Sequence, residues 1–337
     1  MNLDEPRYSR YALVREMMET LAVVRNFDPE CTRAIAAPIQ AAGRLLLTGE
    51  GSSRIFPAKN AIRKALTRGL DLTIVTEGSR QAAQYDLSRF AVFCASNSGR
   101  TREAVMLASK LAGSGTRRFA LCARSGSPLE KVCDHTLLLR CGAEAAVAAT
   151  KSVVEQALVY ESLLWHLGTP PREGWQEALA LHLHTALTLR IPPALVLAVA
   201  KAPLLYFAGY NDGVAEELTL KTNEIIRKKS DFLEGTYAAH GIEEVMNPED
   251  VVIVVDPIEE EIGKFREVLV QGVGLTVIAI ASRITPFPTI LVPDAGEMNP
   301  YLYLGAGWNL LVETGLTLGI DLDKPVRARK VGNEFSG

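Results

Sequence analysis

Apolar positions along this 337-residue chain follow two alternating rhythms. Short runs rich in β-branched and aromatic residues are separated by longer segments whose apolar positions recur every three to four residues, the signature of a parallel sheet covered by helices. After an amphipathic stretch near Ala12 to Phe27, the pattern predicts strands over 44–48, 72–75, 90–95, 118–122 and 136–139, with helices near 55–66, 101–112 and 146–166. A helical segment over 173–190 leads to a second set: strands over 204–207, 251–255 and 275–281, and helices near 214–226, 259–269 and 301–318. The division this implies is an N-terminal helical segment (1–40), a first α/β domain (41–168), a bridging helix (169–192), a second α/β domain (193–320) and a C-terminal tail (321–337).

The two sets repeat each other. RLLLTG ending at Gly49 aligns with LLYFAG ending at Gly209, AVFCAS around Cys94 with VVIVVD around Val254, and ALCARS ending at Ser125 with AIASRI through Arg283, all at an offset of about 160 residues. Three strands sharing one offset indicate a duplication, so the expected fold class is α/β, with two doubly wound, flavodoxin-like units. Ligands of such units sit at the carboxyl ends of the strands.

Composition narrows the partners. With 48% apolar and 22% charged residues the chain reads as globular with an ample core, which excludes disordered and fibrous architectures. The 36 basic and 39 acidic residues leave a net charge of −3. No basic excess exists to neutralise a phosphate backbone, so a small ligand is expected and nucleic acid is not. Five cysteines without a CxxC pair suit reduced thiols in a cytosol and imply neither a disulfide framework nor a metal site. The opening MNLDEPRYSR is charged, and apolar runs such as 191–200 fall short of the ~20 residues that cross a bilayer. The expectation is a cytoplasmic chain with no membrane partner.

Two loops carry candidate chemistry. Gly49-Glu50-Gly51-Ser52-Ser53-Arg54 follows the first strand and precedes a helix, where glycines permit a tight turn and hydroxyls with free N–H groups make an anion cradle. Any strand-to-helix turn uses Gly and Ser, so this loop has an ordinary reading as well. Ser96-Asn97-Ser98-Gly99-Arg100-Thr101 carries more hydrogen-bonding side chains than a helix cap requires, with a guanidinium among them. The corresponding loops of the second set, Tyr210-Asn211-Asp212 and Asp256-Pro257-Ile258, carry acids and no serine run. Acids repel an anion, so only the first unit is expected to hold one.

These loops, together with Glu144-Ala145-Ala146-Val147-Ala148-Ala149-Thr150-Lys151, resemble the signature loops of sugar isomerase (SIS) domains. From about residue 40 to 331 the chain resembles, in two SIS copies, the isomerase half of glucosamine-6-phosphate synthase. The resemblance implies that Ser52, Ser53, Ser96, Asn97, Ser98 and Thr101 hold a sugar phosphate, with Arg100 beside the anion and Val147 and Ala149 lining the sugar. Glu217-Leu218-Thr219-Leu220-Lys221-Thr222-Asn223-Glu224-Ile225 is similar to the family's catalytic helix, which makes Glu224 the proton shuttle. Sixteen residues on, His240-Gly241 matches the ring-opening histidine that enters from a neighbouring subunit. Asp321-Leu322-Asp323-Lys324-Pro325 followed by Lys330 resembles the terminal segment whose lysine reaches the sugar carbonyl.

Each assignment has an ordinary alternative. Glu224 could face Lys228 at i+4 on a solvated helix, His240 could be a polar surface residue, and Lys330 could belong to a basic tail. His182 and His184, two apart on a helix, point to different faces and argue against a metal pair. The chain also departs from the resembled pattern: Asn97 stands for a glutamine, Arg100 for an acid and Ala239 for a lysine, and the tail beyond Lys330 diverges. With only about 40 residues before the first strand, no glutaminase segment is expected.

The resemblance therefore implies an aldose–ketose isomerase of a sugar 6-phosphate, working without metal or organic cofactor in a homodimer or dimer of dimers with shared sites. An amino-sugar-6-phosphate deaminase, a fructosamine-6-phosphate deglycase, an isomerase of a sulfonated sugar and a non-catalytic sugar-phosphate sensor stay open.

Overall fold

The computed structural model describes residues 1–168, 170–327, 334 and 335, and these carry two five-stranded parallel sheets. The first sheet contains β1 (Arg44–Gly49), β2 (Thr73–Gly78), β3 (Ala91–Ala95), β4 (Arg118–Cys122) and β5 (His135–Leu138), in the order β2-β1-β3-β4-β5. The second contains β6 (Leu204–Gly209), β7 (Lys229–Glu234), β8 (Val251–Val255), β9 (Thr276–Ala281) and β10 (Thr289–Leu291), in the order β10-β9-β8-β6-β7. Read from the opposite edge, the second order is the first again. Both halves are therefore doubly wound, as the repeat predicts. Strand order reverses between β1 and β3 and between β6 and β8, so the loops leaving those strands emerge side by side.

Strand character follows position. The central strands β3 (AVFCA) and β8 (VVIVV) are buried at every residue, because helices cover both faces of a parallel sheet. The edge strand β7 (KSDFLE) carries four polar residues and is mostly exposed or half-buried, and β10 is three residues long. Neither is anticipated by the apolar pattern, because an edge strand gains its place through backbone pairing: β7 runs in register with β6 from Leu204↔Lys229 to Gly209↔Glu234. The helix Pro193–Lys201 was likewise unpredicted, and the helix predicted over 146–166 begins only at Lys151.

Two compact units hold the sheets. One comprises residues 22–144, 149–176 and the tail residues 334–335, and the other residues 1–21, 145–148 and 177–327. In the first unit Leu46, Val92, Cys94 and Ala120 of the sheet pack with Ala104, Leu107 and Leu129. Helix Lys151–Leu167 is buried along nearly its whole length, and its Glu161 is neutralised by Lys64, itself buried. In the second unit Tyr206, Ala208, Val252, Val254 and Ala279 pack with Phe265 and Leu269, and helix Asn299–Thr317 is almost entirely buried. Among the described residues no single helix is long and apolar enough to cross a membrane; the pair Trp175–Thr188 and Pro193–Lys201 reaches that length only with a 70° bend between them.

Candidate functional site

The first unit gathers its polar loops at the β1/β3 reversal. Thr48 pairs with Cys94, so β1 and β3 end together, and a Cβ on Gly49 would stand 2.8 Å from the Ala95 carbonyl oxygen. Only glycine admits that approach. Beyond it Gly51–Ser53 forms a single 3₁₀ turn before helix Ile55–Thr67, with Ser52 buried and Ser53 half-buried. Glu50, which the sequence reading passed over, turns away from this turn: its carboxylate accepts the Ser79 N–H at 2.9 Å. Burial pushes its pKa up, against the pull of that N–H.

The second loop is internally braced. Ser96 is buried, its Oγ lies 2.7 Å from the Thr101 Oγ and accepts the Thr101 N–H at 3.3 Å. Ser98 Oγ accepts the Arg100 N–H at 3.2 Å. Gly99 adopts φ 65°, and a Cβ there would fall 2.3 Å from the Ser127 hydroxyl, so the turn depends on glycine. Asn97 donates through Nδ2 to Glu144 at 3.3 Å, and Glu144 also accepts from Thr150 N (2.8 Å) and Ser152 Oγ (2.6 Å). This buried carboxylate thus fastens the second signature loop to the third. Sequence reasoning quoted Glu144 inside its motif but assigned it no role, because its partners lie 6, 8 and 47 residues away. A cavity of about 280 Å³ adjoins these groups, lined among others by Asn97, Ser98, Arg124 and Glu144. Arg100 is exposed and ion-pairs with Glu334 at 3.1 Å. Of the residues expected to line a sugar, Ala149 is half-buried in this unit, whereas Val147 is half-buried in the segment 145–148 that belongs to the second.

The second unit builds a different cluster. Helix Val214–Lys221 continues into a π-helical turn, Thr222–Ile226, which carries Glu224. Such turns widen the helix by one residue and recur at functional positions. Lys221 is completely buried, with Nζ 3.2 Å from Glu217 Oε1 and 2.8 Å from Glu224 Oε2. Burial opposes its charge, but Glu224 and Glu217 outweigh that effect and hold the Lys221 pKa above its ordinary value. Glu217 is as buried as the lysine, whereas the Glu224 side chain keeps 23% of its surface exposed. The i+4 alternative for Glu224 does not form: Lys228 donates instead to the Ala200 carbonyl at 2.9 Å. Lys221 was missed as a site residue, although Glu217, Lys221 and Glu224 at i, i+4 and i+7 describe one helix face.

His240 lies exposed after a short 3₁₀ turn, Tyr237–Ala239, with Lys264 Nζ 3.2 Å from its Nε2 and 3.4 Å from its Nδ1. The contacts of His240 run to Lys264 and those of Glu224 to Lys221. Lys330 lies outside the described residues. The chain leading toward it is anchored within this unit: Arg227, at φ 58°, donates to the carbonyls of Asp321 and Lys324 at 2.5 and 2.6 Å. The Asp323 carboxylate accepts the Ala12 and Leu13 N–H groups at the start of helix Ala12–Arg25. Elsewhere His135 stacks on Phe119 and His166 bonds the Pro29 carbonyl. Among the described residues no His, Cys, Asp or Glu group is arranged to hold a metal ion.

Comparison with known proteins adds to this geometry. Residues 39–165 match the SIS domain family. The isomerizing glutamine–fructose-6-phosphate aminotransferase of Aeropyrum pernix is 25% identical over 342 residues, covering 94% of this chain and 55% of that protein. The chain spans about half the length of the curated relatives it matches. Among solved structures, tagatose-6-phosphate ketose/aldose isomerase from Escherichia coli superposes with a TM-score of 0.77 at 16% identity, covering 96% of this chain and 99% of that one. Glucosamine-6-phosphate deaminase from Thermotoga maritima does so with a TM-score of 0.70 at 17% identity, covering 94% and 98%. These superpositions extend the likeness of fold through both halves.

Proposed function

We propose that this chain, which carries an SIS domain over residues 39–165, is a phosphosugar isomerase that moves a proton between C1 and C2 of a sugar 6-phosphate. The observation that carries the reading is the buried Lys221 between two carboxylates of which only Glu224 reaches solvent. An isomerising base must take a proton from one carbon and return one to the next. A carboxylate backed by a fixed ammonium and opening to one side suits that task.

In this reading Ser52, Ser53, Ser96, Asn97, Ser98, Arg100 and Thr101 surround the anion, with Val147 and Ala149 against the sugar. His240 of a neighbouring subunit passes a proton to the ring oxygen, a role that suits imidazole because its charge changes near neutrality. Glu224 takes the C2 or C1 proton, an enediol forms, and the proton returns to the adjacent carbon. Lys330 would neutralise the charge developing on the carbonyl oxygen, or its amine would add to the carbonyl carbon and form an imine, the oxygen leaving as water. The protein would then act as a homodimer or a dimer of dimers.

If C2 bears nitrogen, the same shuttle gives an imine at C2, which water hydrolyses to the ketose and ammonia, and the shared fold of the Thermotoga maritima deaminase favours keeping that second reading. Incubation with glucose-, glucosamine- and fructosamine-6-phosphate, with ketose and ammonia followed separately, divides the two. Ketose formation without ammonia is expected; ammonia release selects the deaminase, and turnover of none overturns both.

A further inference from the structure

We propose that Glu334 is a specificity-determining residue: it cancels the charge of Arg100 at the anion loop, so that the loop accepts a monoanionic sulfate or sulfonate sugar alongside a dianionic phosphate. The proposal rests on the reading that the Ser96–Thr101 loop holds the anion of a sugar.

Three contacts fix Glu334 at that loop. Its Oε2 lies 3.1 Å from Arg100 Nη2, its backbone bridges Thr101 in antiparallel fashion, and the next residue, Phe335, donates its N–H to the Arg100 carbonyl at 2.8 Å. Phe335 also packs against the core cluster that includes Val92, Cys94 and Leu107. An exposed ion pair on two free side chains is easily broken, but here the acid is held beside its partner by backbone bonds and an apolar anchor, which raises its local concentration. Glu334 lines the same cavity as Asn97, Ser98 and Arg124. The other acid there, Glu144, is already engaged by Asn97, Thr150 and Ser152.

An incoming anion therefore meets a guanidinium whose charge is offset within hydrogen-bond range. Recognition falls to the hydroxyls and N–H groups of the loop, which bond tetrahedral oxygens whatever the net charge of the group. Charge-based selection would favour a phosphate monoester, which carries about −1.5 to −2 at neutral pH, over a sulfate ester carrying one charge. Glu334 lowers the local potential, so that advantage shrinks, because the Coulomb energy scales with the ligand charge.

Calorimetric titration of the full chain with glucose 6-phosphate and glucose 6-sulfate at low ionic strength tests this. The wild type is expected to bind both with affinities within a few fold. E334Q removes one negative charge and should tighten the sulfate about threefold and the phosphate about tenfold, moving the ratio roughly threefold toward phosphate, the scale expected of surface ion pairs. R100Q should move the ratio the other way, and the double variant R100Q/E334Q should restore it to within about twofold of wild type. F335A, which frees the acid while keeping its charge, should shift it in the direction of E334Q. A phosphate-to-sulfate ratio unchanged in E334Q, or moved toward sulfate, overturns the proposal while leaving the phosphosugar reading intact. A wild-type protein that binds neither sugar overturns that reading, and the proposal with it.

Discussion

At the scale of single residues, Lys221 governs the second unit's cluster. It is a charge held wholly out of water, compensated by Glu217 and Glu224. Lys221→Met keeps the volume and leaves two acids facing each other, so a loss of about 3–5 kcal/mol is expected in urea unfolding; adding Glu217→Gln should return most of it. Because the folded pKa of Lys221 is raised, the stability it contributes is complete below its unfolded value near 10.4 and is lost as pH rises through the folded value. The gap between wild type and Lys221→Met should therefore narrow in strong alkali, where the lysine loses its proton; a gap that keeps its full size there would contradict the charge argument. Glu224→Gln should slow solvent-proton exchange at C2 by about 10²–10⁴-fold and leave substrate binding within a few fold. Both acids and the lysine could be quoted from the sequence, but the pairing of Lys221 with Glu224 rather than of Glu224 with Lys228 depends on where the helix widens at Thr222.

At the scale of elements, the same close approach recurs in both sheets. A Cβ on Gly49 would lie 2.8 Å from the Ala95 carbonyl oxygen, and one on Gly209 would lie 2.6 Å from that of Val255. The obstacle in each case is backbone and cannot swing aside. Alanine at either position should cost about 1–3 kcal/mol, read as a lowered unfolding midpoint. Gly49→Ala should also weaken binding of inorganic phosphate by splaying the β1 and β3 loops, whereas Gly209→Ala should not, since the second unit has no serine run there. Equal phosphate affinity in Gly49→Ala and wild type would separate the β1 loop from the anion site. The central strands were legible because burial on both faces demands unbroken apolar runs; β7 and β10 were not, because an edge strand needs only a partner for its backbone.

At the scale of the whole molecule, one architecture occurs twice with different chemistry at corresponding loops. Hydroxyls crowd the first unit's reversal, whereas Asp256 and Glu259 in the second are tied to Arg283. If His240 acts across a subunit boundary, mixing a His240→Ala chain with a Glu224→Gln chain should recover part of the activity that each lacks alone; no recovery under conditions that exchange subunits would assign both residues to one chain. The doubly wound fold, the duplication and the loops rich in hydrogen-bonding groups were legible along the chain, because periodicity, strand burial and turn chemistry are local properties that each segment carries with it. Folding adds that Glu144 ties two loops together, that Lys221 sits buried between two acids, and that Arg100 meets Glu334. The spacing of Glu217, Lys221 and Glu224 sets them on one helix face, but its burial, and the contacts that join residues 47 and 234 positions apart, arise only when the chain folds.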